Sequence, residues 1–141
     1  MADDDIAVAA LDRDSGERFQ SLRRALGVSS FGISLIVLQP RQRGRVHAHE
    51  HQEEVYLVLE GELTLIVERA ERVLGPDDVA RVGPSARRQL VNAGSGRVVL
   101  LALGGSGEHE SRDARAWAAW EDTTGPGRPP QDVPTPPDLT A

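Results

Sequence analysis

The stretch "HAHEHQEEVYLVLEG", residues 47–61, sets three histidines at alternate positions ahead of two carboxylates and a hydrophobic run closed by glycine. Alternate residues of a β-strand share a face, so in a strand His47, His49 and His51 point the same way. Neighbours on that face lie ~7 Å apart at a rise of ~3.4 Å per residue, and two imidazoles at that spacing can converge on one ion with bonds of ~2.1 Å. His47 and His51, roughly 13 Å apart, cannot share an ion without a bulge. A metal site in this segment therefore uses His47 with His49, or His49 with His51. Glu54 is out of parity with the histidines, but a turn at Gln52 and Glu53 resets the register. Glu54, Tyr56 and Val58 then share one face, and Val55, Leu57 and Leu59 the other. Two histidines and a carboxylate on adjacent strands form a facial triad suited to divalent Fe, Mn, Ni or Zn, with positions left open for substrate. The competing reading is a solvated loop, since histidines among acidic residues are common at surfaces.

Outward from this segment, residues 31–104 read as short β-rich runs: "FGISLIVL", "RVHAHE", "EVYLVLE", "ELTLIVE", "ERVL", "DVARV", "RRQLVN" and "RVVLLALGG". Turn signals at Gly61-Glu62, Gly75-Pro76-Asp77, Gly83-Pro84 and "NAGSG" separate most of them. Eight strands with no helix between them predict an all-β fold, an antiparallel β-barrel or two-sheet sandwich. Residues 1–30 form an N-terminal arm, in which Phe19, Leu22 and Leu26 predict a short amphipathic helix over 15–28, capped by Ser15 and stopped by Gly27. The barrel takes residues 31–105. Residues 106–141 form a C-terminal region, where Ala114, Trp117 and Trp120 predict a second short helix. Its last 17 residues carry six of the nine prolines, which rules out a regular helix or inner strand and predicts an extended arm over the body, with Val133 and Leu139 as anchors.

The bulk numbers narrow the function. The 141 residues suffice for one domain with a real core. A net charge of −6 offers no basic surface for nucleic acid or anionic lipid. The chain has no cysteine, which excludes disulfides, zinc–thiolate sites and thiol nucleophiles. The start "MADDDIAVAALDRD" lacks the basic and apolar regions of a secretory signal, and no apolar segment approaches the ~20 residues of a membrane helix. The expectation is a cytoplasmic protein.

The combination H-x-H, four residues, Glu, six residues, Gly inside an all-β run resembles the first motif of the cupin superfamily, G-x5-H-x-H-x3-4-E-x6-G. His47, His49, Glu54 and Gly61 match, whereas Gly44 lies nearer the first histidine than the motif expects. The resemblance covers residues ~31 to 104. It implies a small barrel of the cupin or jelly-roll type, with a divalent metal held by His47, His49 and Glu54. The second motif, G-x5-P-x-G-x2-H-x3-N, brings a fourth ligand. Aligned on Asn92, "GPDDVARVGPSARRQLVN" puts Arg88 in place of that histidine, and Gly83 and Ser85 in place of the proline and glycine.

A guanidinium stays protonated and ligates no metal. Leu90 and Asn92 share the parity of Arg88, which points it inward, with Arg87, Gln89 and Val91 outward. Three arrangements stay open: Arg88 pairs with Glu54 and no metal binds; Arg88 stands beside a three-ligand metal and binds an anionic group of the substrate; or it turns away and a water or another side chain is the fourth ligand. His109, the one histidine outside the segment, reads as a surface residue. Tyr56 shares Glu54's face as a lining residue or phenolic acid/base. The first functional reading is a metal-dependent cupin acting on a small polar or anionic molecule, with oxygenase- or isomerase-like chemistry among the options. The alternative is a non-enzymatic small-molecule-binding or sensor cupin with a degenerate metal site. Runs apolar on both faces, "VYLVL", "LTLIV" and "VVLLAL", predict a covering partner, most simply a second copy in a homodimer.

Overall fold

The structure, a computed structural model, describes residues 5–105, 113–123 and 125–140. His109 lies outside them. Among the described residues ten strands form two antiparallel five-stranded sheets. The first sheet contains β1 (Phe19–Ser21), β2 (Gly32–Leu38), β9 (Val98–Gly105), β4 (Glu53–Glu60) and β7 (Val79–Val82), in that spatial order. The second contains β10 (Ala114–Trp117), β3 (Val46–His49), β8 (Arg88–Val91), β5 (Leu63–Val67) and β6 (Ala70–Leu74). The two sheets are a jelly roll, open at the edges instead of closed into one continuous barrel. No described helix is long and apolar enough to cross a membrane.

Period-two patterning places the core between the sheets. Ile36, Leu38, Tyr56, Val58, Leu63, Leu65, Leu90, Val98 and Leu100 form one buried cluster there. Their neighbours in sequence point outward, and both outer faces need cover. On the first sheet the helix α1 (Leu22–Leu26) lays Leu22 against Leu35, Val37 and Val99. On the second, Val46 and Ala48 pack under Trp117, with Trp120 alongside. Arg87 stands over both indoles, 5.2 and 5.3 Å from their centroids, and Trp120 Nε1 donates to Gln89 Oε1 at 2.9 Å. Gly61 closes the β4–β5 turn at φ 79°, and a Cβ there would lie 2.2 Å from the carbonyl oxygen of Arg97.

Two local expectations are corrected. The helix predicted over 15–28 is only five residues long. Ser21, not Ser15, caps it by accepting from Arg24 N at 3.2 Å, and Phe19 belongs to β1, paired with Ile36. Gly27 ends the helix in the left-handed conformation, as its placement predicts. The helix predicted around Ala114, Trp117 and Trp120 is instead the edge strand β10, with Ala114 opposite His49 and Ala116 opposite His47. Pairing satisfies the open backbone edge of β3, and this non-local gain overrides a spacing that fits a helix.

Beyond β10 the Pro-rich arm runs along the segment that enters β3. Arg45 Nε donates to Val133 O at 2.7 Å, Arg43 Nε to Pro137 O at 3.0 Å, and Leu139 N to Arg41 O at 2.9 Å. Val133 is buried and Leu139 half-buried.

Candidate metal centre

β3 supplies His47 and His49, with Val46 and Ala48 turned to the opposite, buried face. The chain leaves the strand after His49, and the loop through His51 and Gln52 resets the parity before β4 begins at Glu53. Glu54 thereby faces the histidines from the other sheet. Its Oε1 lies 3.1 Å from His47 Nε2 and its Oε2 3.2 Å from His49 Nε2. The two rings meet edge to face at 5.4 Å between centroids. One ligand atom from each of the three residues lies within 4.8 Å of the others. His51 takes no part. Its side chain is 69% exposed, and its Nδ1 lies 3.0 Å from Asp113 Oδ1.

The donor set fits a cation. His47 Nδ1 lies 3.3 Å from the Arg45 carbonyl oxygen. A neutral ring that donates there turns the lone pair of Nε2 toward the Glu54 carboxylate, and two acceptors face each other unless a positive charge stands between them. His49 is plainer still, because both its ring nitrogens are buried and neither has a hydrogen-bond partner. Buried orphaned nitrogens are costly, and metal ligation is one arrangement that satisfies them. Burial alone would raise the Glu54 carboxyl, but the neighbouring imidazoles, His47 more than His49, hold it well below the usual carboxylate range. The carboxylate is thus ionised and ready as a ligand.

Arg88 points inward and is fully buried. Its NH1 donates to Glu54 Oε1 at 3.2 Å and its NH2 to the Gly83 carbonyl. It pairs with the carboxylate from behind and is not among the residues lining the cavity. Tyr56 does line it, and its hydroxyl donates to Glu54 Oε1. Burial, then the Glu54 charge, push the Tyr56 phenol well above its ordinary value, so it remains a donor at neutral pH.

Two residues escaped the sequence reading. Arg45 lines the cavity, and its parity with His47 and His49 was the available signal. Asp113 precedes β10, more than sixty residues from the histidines in sequence, and no local pattern marks it. Its buried carboxylate accepts from the backbone of His51 and Gln52 and lies 3.6 Å from His49 Nδ1, behind the ring. Burial raises the Asp113 carboxyl, but those backbone donors and the His51 side chain outweigh it and keep the group ionised. Glu50, His51 and Asp113 form a second grouping within 4.8 Å, but Glu50 is paired with Arg115 at 2.9 Å.

The cavity between the sheets has a volume of about 380 Å³ and is partly open to solvent. Its polar wall comprises Ser34, Arg45, His47, His49, Glu54 and Tyr56. Apolar groups, among them Phe19, Ile36 and Leu90, make the rest.

A two-sheet jelly roll with two histidines and a glutamate converging on its cavity is the architecture that the sequence resemblance implies. The profile of the family described as "Cupin domain" matches residues 34–104, half of the chain. The protein belongs to the cupin family. No match was found among curated proteins. Solved structures add likenesses. A proposed sugar phosphate isomerase of Acidithiobacillus ferrooxidans is 28% identical (TM-score 0.61) over 70% of this chain and 63% of that one, so the present chain spans under two thirds of its length. A sugar phosphate isomerase from a cupin superfamily, of Silicibacter pomeroyi, is 26% identical (TM-score 0.60) over 81% of this chain and 76% of that one. A Cupin 2 conserved barrel domain protein of Salinispora arenicola is 25% identical (TM-score 0.62) over 70% and 87%.

Proposed function

We propose that the protein holds a divalent transition metal through His47, His49 and Glu54 and acts there on a small polar or anionic molecule. The observation that carries this reading is the ring of His49, its nitrogens buried and without a hydrogen-bond partner, beside an ionised Glu54 in a partly open cavity. When bound, Fe, Mn, Ni or Zn would supply a Lewis acid and a template for substrate oxygens. The chain's own groups have distinct tasks. Arg88 and the Tyr56 hydroxyl fix Glu54 and offset its charge, while the apolar wall excludes water from one side of a ligand. The two relatives described as sugar phosphate isomerases make isomerisation of a phosphorylated sugar the first chemistry to assay. Elemental analysis of untagged protein, with thermal melts before and after chelation, tests the metal. The expected result is about one ion per chain and a lower melting temperature after its removal.

The alternative is a binding or sensor cupin without turnover. It is favoured by the cavity's acid–base groups, since Tyr56 is held protonated and Glu54 is engaged by its neighbours. Metal-loaded protein that binds sugar phosphates yet converts none would select it.

A second copy of the chain is the partner we propose for the uncovered part of the first sheet. In register across that sheet run half-buried Leu101 and Leu57 and then Val79, which is 63% exposed. Phe31, also exposed, lines a shallow depression with Val55 and Leu103. A dimer should bury more than ~1,000 Å². Light scattering that shows a monomer at micromolar concentration would refute it.

A further inference from the structure

We infer that Arg45 is the anion-recognition residue of the cavity, so that the ligand carries a carboxylate or a phosphate monoester, and that the C-terminal arm sets this guanidinium in place. The inference rests on the reading of the cavity as the functional site.

The first argument is a balance of charge. Among the described residues Glu54 is the one carboxylate in the cavity wall, and Arg88 stands against it at 3.2 Å. Asp113 lies behind His49, outside the lining, and its oxygens are taken by two backbone N–H groups and by His51. Arg45 has no carboxylate within ion-pair distance among the described residues, which leaves it as the uncompensated charge of the wall. A divalent ion on His47, His49 and Glu54 adds to that positive field. A concave site with excess positive charge selects against neutral and cationic ligands.

The second argument is preorganisation. The Arg45 Nε donates to Val133 O at 2.7 Å, and Val133 itself is 1% exposed. This bond fixes the plane of the guanidinium while its two terminal amino groups keep the fork that suits a carboxylate or phosphate. The arm is pinned further along by Arg43 and Arg41, and Pro130 contributes to the cavity wall. All of these arm residues lie beyond the segment 34–104 that defines the family domain. The ligand-facing charge is therefore oriented by a part of the chain that the family domain does not contain. Arg88, the other candidate for this task, faces Glu54 and lies outside the cavity lining.

The test uses full-length protein and two probes of similar shape, glycerol 3-phosphate and glycerol, titrated calorimetrically into the wild type, Arg45→Met and Arg45→Lys. Each protein is measured with Mn²⁺ and after chelation, and its metal content is recorded. The expected result is wild-type binding of glycerol 3-phosphate in preference to glycerol. Arg45→Met should weaken it about tenfold or more, as loss of a charge-assisted pair does, with metal content unchanged. Arg45→Lys should recover part of the affinity, which also guards against a folding defect in the methionine variant. Equal affinity of wild type and Arg45→Met, or no preference of the wild type for the charged probe, overturns the inference. Arg45-dependent anion binding in a protein that takes up no metal would sink the metal reading and leave this one standing.

Discussion

Replacement of Arg88 by methionine separates the roles that a buried cation can have beside a metal site. The side chain is fully buried, donates through NH1 to Glu54 and through NH2 to the Gly83 carbonyl, and is the one guanidinium paired with that carboxylate among the described residues. Methionine keeps most of the volume, so the loss is electrostatic. Breaking a buried pair from one side costs about 3–5 kcal/mol. Glu54 retains His47, His49 and Tyr56 as neighbours, which lowers the figure, whereas the Gly83 carbonyl loses a donor at ~1–3 kcal/mol. The metal-free variant should therefore be about 3 kcal/mol less stable, a drop of roughly 10 °C in melting temperature for a chain of this size. Metal affinity should move the other way or stay unchanged, because a positive charge that competes for Glu54 has gone. Thermal and urea melts give the first quantity, and competition with a chromogenic chelator the second. A folded Arg88→Met protein that no longer takes up metal would refute the reasoning, since it would make Arg88 necessary to the centre. Unchanged stability would equally show that the pair with Glu54 is not formed.

Further outcomes follow from the same geometry. His49→Ala should abolish metal retention in elemental analysis, whereas exposed His51→Ala should retain it; loss of the metal in His51→Ala with retention in His47→Ala would move the site to the His49–His51 pair. Asp113→Ala, which removes the carboxylate behind His49, should weaken metal binding by roughly 10–100-fold in a chelator competition; undiminished affinity would assign Asp113 to the loop alone. Gly61→Ala forces a Cβ to within 2.2 Å of the Arg97 carbonyl at a positive φ, and should cost roughly 2–4 kcal/mol in a denaturant titration.

The sequence by itself determined the eight strands from Gly32 to Gly105 and the faces their side chains take. Period-two parity is a local property, and it assigns side chains to faces even along β4, β5 and β9, which are apolar on both. The same parity aimed His47, His49, Glu54 and Arg88 inward, and the spacing of the first motif carried the family. Where local signals conflicted with non-local pairing, the sequence misled. Ala114, Trp117 and Trp120 fit a helical stripe, but the open edge of β3 draws Ala114 to Trp117 into a strand and leaves Trp120 in the turn that follows. Phe19 fits another, but pairs with Ile36. The tertiary structure alone decided which partner each charged group met. Arg88 could reach Glu54 or a ligand with the same inward parity, and the packing of the two sheets gave it Glu54. Arg45 gained its place through an arm nearly ninety residues further along the chain, and Asp113 reached His49 across a similarly long separation. Such contacts depend on how strands remote in sequence are laid side by side, and the periodicity of any one strand carries no information about its neighbours.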